Sequence, residues 1–152
     1  MNPEELKNTI LELCTEAAFE ENTEFLTVFI PKEKFHDMMI LIRNKSGLEF
    51  DYLFCMTCID WKEHLIITYH LMSKKHNNNT LVVKVKLTDT INPEIESVTD
   101  LWKSAELQED EVYDFFGVKF LNHPNLRRLF LDENWNGFPL RKNYEDVNMI
   151  KL

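Results

Sequence analysis

Apolar residues recur along this chain with a period that changes from stretch to stretch, and those changes mark its elements. Leu6, Ile10, Leu13, Cys14 and Ala17 follow helical spacing, which predicts an amphipathic helix running to about Asn22. Asn2 before Pro3, with Glu5 three positions after Asn2, supplies a capping box for its start. From Glu24 to Ile30 the run is rich in aromatic and β-branched residues and closes at Pro31, the pattern of a strand. Phe35, Met38, Met39 and Ile42 share one face of a second helix, Lys32 to Asn44, with Gly47 as its stop.

Phe50 to Cys58 is apolar enough to predict a buried strand, ending at Ile59, Asp60 and Trp61. Leu65–Leu71 and Leu81–Leu87 are further strands, separated by the polar stretch from Ser73 to Thr80, which predicts a surface loop. Asn92 before Pro93, followed by Glu94 and Glu96, predicts a third helix carrying Ile95, Val98, Leu101 and Trp102. The stretch Glu109–Phe116 then sets acids against Val112, Phe115 and Phe116, as in the last turns of a helix that Gly117 stops. This order predicts an α+β fold: two layers, helices packed on one mixed β-sheet, then a C-terminal helix and an extended irregular tail. The division expected is a body of residues 1–117 and a tail of residues 118–152.

After Gly117 no period survives, yet the tail carries Phe120, Leu126, Leu129, Phe130, Trp135, Phe138 and Leu140. A segment this apolar is ordered by packing on something. Its aromatic residues either complete the chain's own core or insert into a partner, and Trp135 and Arg141 have the composition of interface anchors. Charge divides at the same place. The net charge is -9 overall, -11 over residues 1–118 and +2 over residues 119–152. A balance this acidic argues against a nucleic-acid or anionic-membrane surface, whereas a basic tail on an acidic body suits either self-complementarity or an acidic partner.

The chain has no run of about 18 apolar residues that would span a membrane. Its acidic start, MNPEEL, predicts neither a secretory signal nor a transit peptide. Three cysteines, an odd number, point to free thiols in a reducing compartment.

Cys55 and Cys58 form a Cys-x-x-Cys pair, but in a strand residues three apart point to opposite faces. Neither a second pair for a metal nor a helix amino terminus to activate a thiol stands beside them. They read as buried apolar cysteines. His64 and His70 read as surface histidines and His36 and His76 offer nothing specific. His123, fixed by Pro124, reads as a hydrogen-bonding residue of a turn, with no acid identifiable beside it. The acids Glu106, Glu109, Asp110, Glu111 and Asp114 are spread around the helix as a solvated face would be. The pairs Arg127-Arg128 and Arg141-Lys142 later in the chain lead us to expect that Glu109, Glu111 or Asp114 pairs with an arginine, within the chain or across an interface.

Glu109, Glu111, Asp114, Phe115, Phe116, Gly117, His123, Pro124, Leu126, Arg127, Arg128, Gly137, Pro139, Leu140, Arg141 and Lys142 stand in a fixed order. The stretch resembles the signature of the 30 kDa subunit of respiratory complex I, the proton-pumping NADH:quinone oxidoreductase. Asp110, Asn122 and Asn143 depart from that pattern, where the family has Arg, Gly and Asp.

The resemblance implies a noncatalytic structural subunit of the peripheral arm, docked beside the large quinone-site (49 kDa-type) subunit. It implies no cofactor in this chain; FMN, iron-sulfur clusters and quinone would belong to partner subunits. It implies a place on the cytoplasmic side of the membrane, reached only through the complex. The residues expected at the partner interface are Glu109, Glu111, Asp114, His123, Pro124, Arg127, Arg128, Trp135, Gly137, Pro139, Leu140, Arg141 and Lys142. Two alternatives stand beside this reading: the equivalent subunit of a membrane-bound hydrogenase or hydrogenlyase complex, and a free-standing thiol or metal enzyme using Cys55 and Cys58.

Overall fold

A computed structural model describes residues 1–152. The first helix, α1 (Pro3–Leu13), begins where its sequence signals place it. Asn2 Oδ1 accepts from Glu5 N at 2.9 Å, and Glu5 Oε2 accepts from Asn2 N at 3.0 Å. The helix ends nine residues before the expected Asn22. Cys14 is already extended, and Ala18–Glu20 forms a short strand, β1, paired antiparallel with β2 (Leu26–Phe29). Helical spacing persists by coincidence to Ala17, which is buried without belonging to the helix. A 3-10 turn, Lys32–Lys34, leads into α2 (Phe35–Asn44), whose Phe35, Met38, Met39 and Ile42 are buried as their spacing predicts.

Three nine-residue strands follow: β3 (Tyr52–Asp60), β4 (Leu65–Ser73) and β5 (Asn79–Leu87). The sheet order is β1-β2-β5-β4-β3, with β2 parallel to β5 and the other neighbours antiparallel. Register makes the core: Leu65, Ile67, Tyr69 and Leu71 of β4 lie opposite Leu87, Val85, Val83 and Leu81 of β5. All eight are buried with Leu6 and Ile10 of α1 and the buried face of α2. Alternate positions carry His70, Lys84 and Lys86 along with Val82, Phe54 and Phe29, so the sheet buries one face against helices and presents a mixed polar and apolar face on the other.

Three expectations change here. The apolar run of β3 is an edge strand rather than a buried one, and Tyr52, Phe54 and Ile59 stand exposed on it. The polar stretch from Ser73 to Thr80 is a tight hairpin with its ends inside strands. Asn77 and Asn78 turn it at φ +53° and +58°, a conformation asparagine tolerates. The segment after Pro93 is a strand, β6 (Glu94–Glu96), and not a helix. Its partner is β7 (Lys119–Leu121), parallel and just past Gly117, so pairing with a distant segment overrides the local helix signals. Between these strands runs α3 (Ala105–Phe116), ended by Gly117 at φ +74°. No helix is long and apolar enough to cross a membrane.

Turns tie α3 to the sheet. Trp102 Nε1 donates to Phe50 O at 3.1 Å and Ser104 Oγ to Leu53 O at 2.9 Å. These bonds set α3 beside β3, which positions everything described next.

Candidate functional site

Helix α3 buries three carboxylates, which is costly unless each finds donors. Glu109 lies one turn from Ala105, on the helix face that packs against the body. Its Oε1 accepts from Val98 N at 2.8 Å and its Oε2 from Ser97 Oγ at 2.7 Å. Burial pushes its pKa up to about 7 despite these two donors, with Asp100 and Asp110 adding to the rise.

Asp110 and Asp114, also one turn apart, form a second buried row facing the tail. Asp110 accepts from Arg127 N at 3.2 Å. Asp114 is the hub. Its Oδ2 accepts from Leu129 N, Phe130 N and Leu131 N at 3.1, 2.7 and 3.1 Å, and its Oδ1 stands 3.2 Å from Arg128 Nη1. Burial alone would raise the Asp114 pKa. The three backbone N–H groups and Arg128 outweigh it and hold the carboxyl below its ordinary value. Arg128 also donates to the carbonyls of Asp114, Trp135 and Gly137, and its guanidinium lies 4.9 Å over the Phe138 ring.

Arg141 makes the second tie. It donates to Phe116 O at 3.1 Å and to Thr90 O, and its Nε stands 3.4 Å from Asp60 Oδ2. The same Asp60 oxygen accepts from Lys142 N at 2.8 Å, and Leu140 N donates to Phe115 O at 3.1 Å. Burial raises the Asp60 pKa, but the N–H groups of Lys142 and Lys62 and the charge of Arg141 bring it below its ordinary value. His123 has both ring nitrogens bonded. Nε2–H donates to Glu106 O at 3.0 Å and Nδ1 accepts from Asn125 N at 3.0 Å, so the ring is the neutral Nε2–H tautomer.

Several expectations are revised by this geometry. Glu109, Asp110 and Asp114 are not a solvated face. His123 does have acids beside it, with Asp110 Oδ1 at 3.6 Å and Glu109 Oε2 at 3.9 Å from its Nε2. The helical wheel spreads the acids, but turns and tail fold over the helix from two sides.

Of the acids expected to meet an arginine, Asp114 meets Arg128, while Glu109 is satisfied by Ser97 and Val98. Glu111 is exposed and bonds to nothing in the chain, and Arg127 uses only its backbone N–H, its side chain being exposed. Pro124, Trp135, Gly137, Leu140 and Lys142 are exposed too, and Pro139 is half-buried. Asp60, Thr90 and Ser97 complete the ties. An acid at the end of an apolar strand was a signal for Asp60, whereas nothing local marks the other two.

Cys58 is buried and Cys55 half-buried. Burial, with Asp60 nearby, pushes the Cys58 thiol up to about 12, the opposite of what a thiolate nucleophile requires. No group of three or more His, Cys, Asp or Glu is placed to hold a metal ion.

The family described as "Respiratory-chain NADH dehydrogenase, 30 Kd subunit" matches residues 28–148. The chain belongs to that family. Its members take part in the electron transport of the respiratory chain. The C subunit of the NADH-quinone oxidoreductase of Citrifermentans bemidjiense is 37% identical over 144 residues, covering 93% of this chain and 83% of that protein. The C/D subunit of the NADH-quinone oxidoreductase of Phocaeicola vulgatus is 44% identical over 125 residues. The chain spans about a quarter of the length of such C/D relatives, 24% in that case.

Among solved structures, a trypsin-resistant fragment (1–134) of Nqo5 superposes with a TM-score of 0.70 at 28% identity, over 83% of this chain and all of that one. A chain of an archaeal membrane-bound sulfane sulfur reductase has a TM-score of 0.79 at 24% identity, over 95% of this chain and 86% of that one, and so shares the fold. The α+β architecture with a mixed five-stranded sheet is therefore one that this chain shares with the Nqo5 fragment.

Proposed function

We propose that this chain is a noncatalytic structural subunit of the peripheral arm of a proton-pumping NADH:quinone oxidoreductase. It docks beside the large quinone-site subunit through residues 118–152 and the adjoining face of α3. FMN, iron-sulfur clusters and quinone belong to the partner subunits, and the chain sits on the cytoplasmic side of the membrane through the complex alone. Its role in electron transfer from NADH to quinone is positional.

One observation carries this reading. The tail is pinned to its own body by Asp114, Arg128 and Arg141, yet it leaves Phe130 66%, Leu140 55% and Trp135 39% exposed. Large apolar side chains held outward by a fixed backbone are a docking surface. Covering them is worth roughly 25 cal/mol per Å² before association costs. The C/D relatives carry the matching stretch as about a quarter of a longer polypeptide, which supports a partner close enough to be joined to such a domain.

The test is affinity purification of the tagged chain from its own solubilised membranes. We expect it to bring down the large subunit and flavin- and cluster-bearing subunits, with NADH:quinone reductase activity in the eluate. Recovery of the chain alone, from membranes in which the complex is intact, would overturn the proposal.

A further inference from the structure

Between β3 and α3 lies a small apolar pocket of about 200 Å³, walled by Met56, Cys58, Val112, Phe115 and Leu140, with Glu111 at its rim. Three features set Glu111 apart from an ordinary surface acid. The other carboxylates of this part of α3, Glu109, Asp110 and Asp114, are all taken up by donors of the same chain. Glu111 has neither an ion pair nor a hydrogen bond, although the tail brings cationic side chains to the same end of the molecule.

Its surroundings are apolar. Leu107, Glu111 and Phe115 recur every four residues on the outward stripe of α3, and Leu107 is 57% exposed. Phe115 stacks on Phe130 at 5.8 Å between centroids and 18° between planes, which extends the apolar surround into the tail. No basic residue lines the pocket itself, and Arg141, next to Leu140, is taken up by Asp60 and by the carbonyls of Phe116 and Thr90.

We propose that this pocket receives an arginine side chain of the partner, its stem lying against Met56, Phe115 and Leu140 and its guanidinium forking onto Glu111. Arginine suits the site because its stem is apolar, its planar head can lie on an aromatic face, and its donors match both carboxylate oxygens. An exposed acid on an apolar rim is desolvated when the rim is covered, so a partner without a cation here would pay that cost uncompensated. The inference rests on the docking reading above and fixes where on the chain one contact falls and which chemistry it uses.

The experiment places a photo-cross-linking amino acid at position 111 of the tagged chain in its own cell, alongside Glu111→Gln and Glu111→Arg. Glu12→Arg, an exposed acid on α1, is the control for the same change of charge. We expect the cross-link to land within an arginine-bearing segment of a co-purifying subunit. Glu111→Arg should lower recovery of the assembled complex about thirtyfold at limiting expression, without lowering the melting temperature of the purified chain. Changing the cross-linked arginine to glutamate should restore assembly with Glu111→Arg. Normal assembly of Glu111→Arg, or cross-links to no protein or only to segments without arginine, would overturn the inference. If the unmodified chain assembles in that same experiment, docking itself survives and only the arginine contact falls.

Discussion

The Phe138 ring fills the space in which a side chain at position 117 would begin. A Cβ built on Gly117 would stand 2.6 Å from Phe138 Cδ2. Gly117 also sits at φ +74°, so the helix end and the fold of the tail over it require the same residue. We predict that Gly117→Ala destabilises the chain by at least about 2 kcal/mol, from left-handed strain together with displacement of the ring. Adding Phe138→Ala should remove the clash but not the strain. A double-mutant cycle by chemical denaturation measures this, and additive effects of the two changes would contradict the contact.

Asp114 satisfies three consecutive backbone N–H groups and a guanidinium. Asp114→Ala should cost about 3–5 kcal/mol, the range for breaking a buried charge pair, and release residues 126–131. Hydrogen exchange at Leu129, Phe130 and Leu131 is the direct measure. Retained protection there would mean that the tail is held by its apolar contacts instead.

The pH dependence of stability should carry the mark of Glu109. Its carboxyl is raised from 4.5 to about 7 in the folded chain. Between those values the folded chain holds a proton that the unfolded chain has released. The contribution is therefore fully present below 4.5, declines as pH rises towards 7 and is flat above, a change of about 3 kcal/mol. Asp60 and Asp114 act in the other direction. Their folded pKa values lie below the ordinary 3.8, so the stability they provide is present above that value and is lost as pH falls through the folded values. The summed contribution of these three groups is therefore greatest between the two regions. Glu109→Gln should remove the decline between pH 4.5 and 7 in denaturation curves, and an unchanged decline would assign it to another group.

Arg127 and Arg141 look equivalent in the sequence but act in different places. The Arg141 side chain is only 11% exposed and bonds within its own chain, whereas that of Arg127 is exposed and unpaired. Arg141→Ala should cost about 2–4 kcal/mol in the isolated chain by leaving the Thr90 and Phe116 carbonyls and Asp60 short of donors. Arg127→Ala should leave its melting temperature within about 1 °C. Melting curves of the two purified variants distinguish these outcomes.

Much of the fold was legible because local signals and tertiary demands agreed. The Asn2–Glu5 box, the buried stripe of α2, the alternation of β5 and the Gly117 stop are all found where the pattern puts them. The failures have a common cause. The segment after Pro93 carries a helix start but pairs with β7, some 25 positions on, and no window of sequence contains both partners. The apolar run of β3 describes an edge strand because α3, also distant in sequence, packs beside it.

The candidate site divides the same way. The signature Gly, Pro and Arg positions could be read directly, as could the pairing of one of the acids, Asp114, with an arginine. That Glu109 would be met by Ser97 and Val98, and Asp60 by Arg141, depends on how turns bring far positions together. Burial of three helix carboxylates is invisible to a helical wheel, which records direction and not what lies in that direction.

The cradle of donors around Asp114 has a kinetic consequence. Because the arm is already curled before any encounter, a neighbour does not wait for a loose coil to thread into place, nor does it offset the entropy of ordering one. Two finished shapes meeting should associate at ordinary protein–protein speeds. Loosening that cradle would then slow capture and leave the final contacts unchanged.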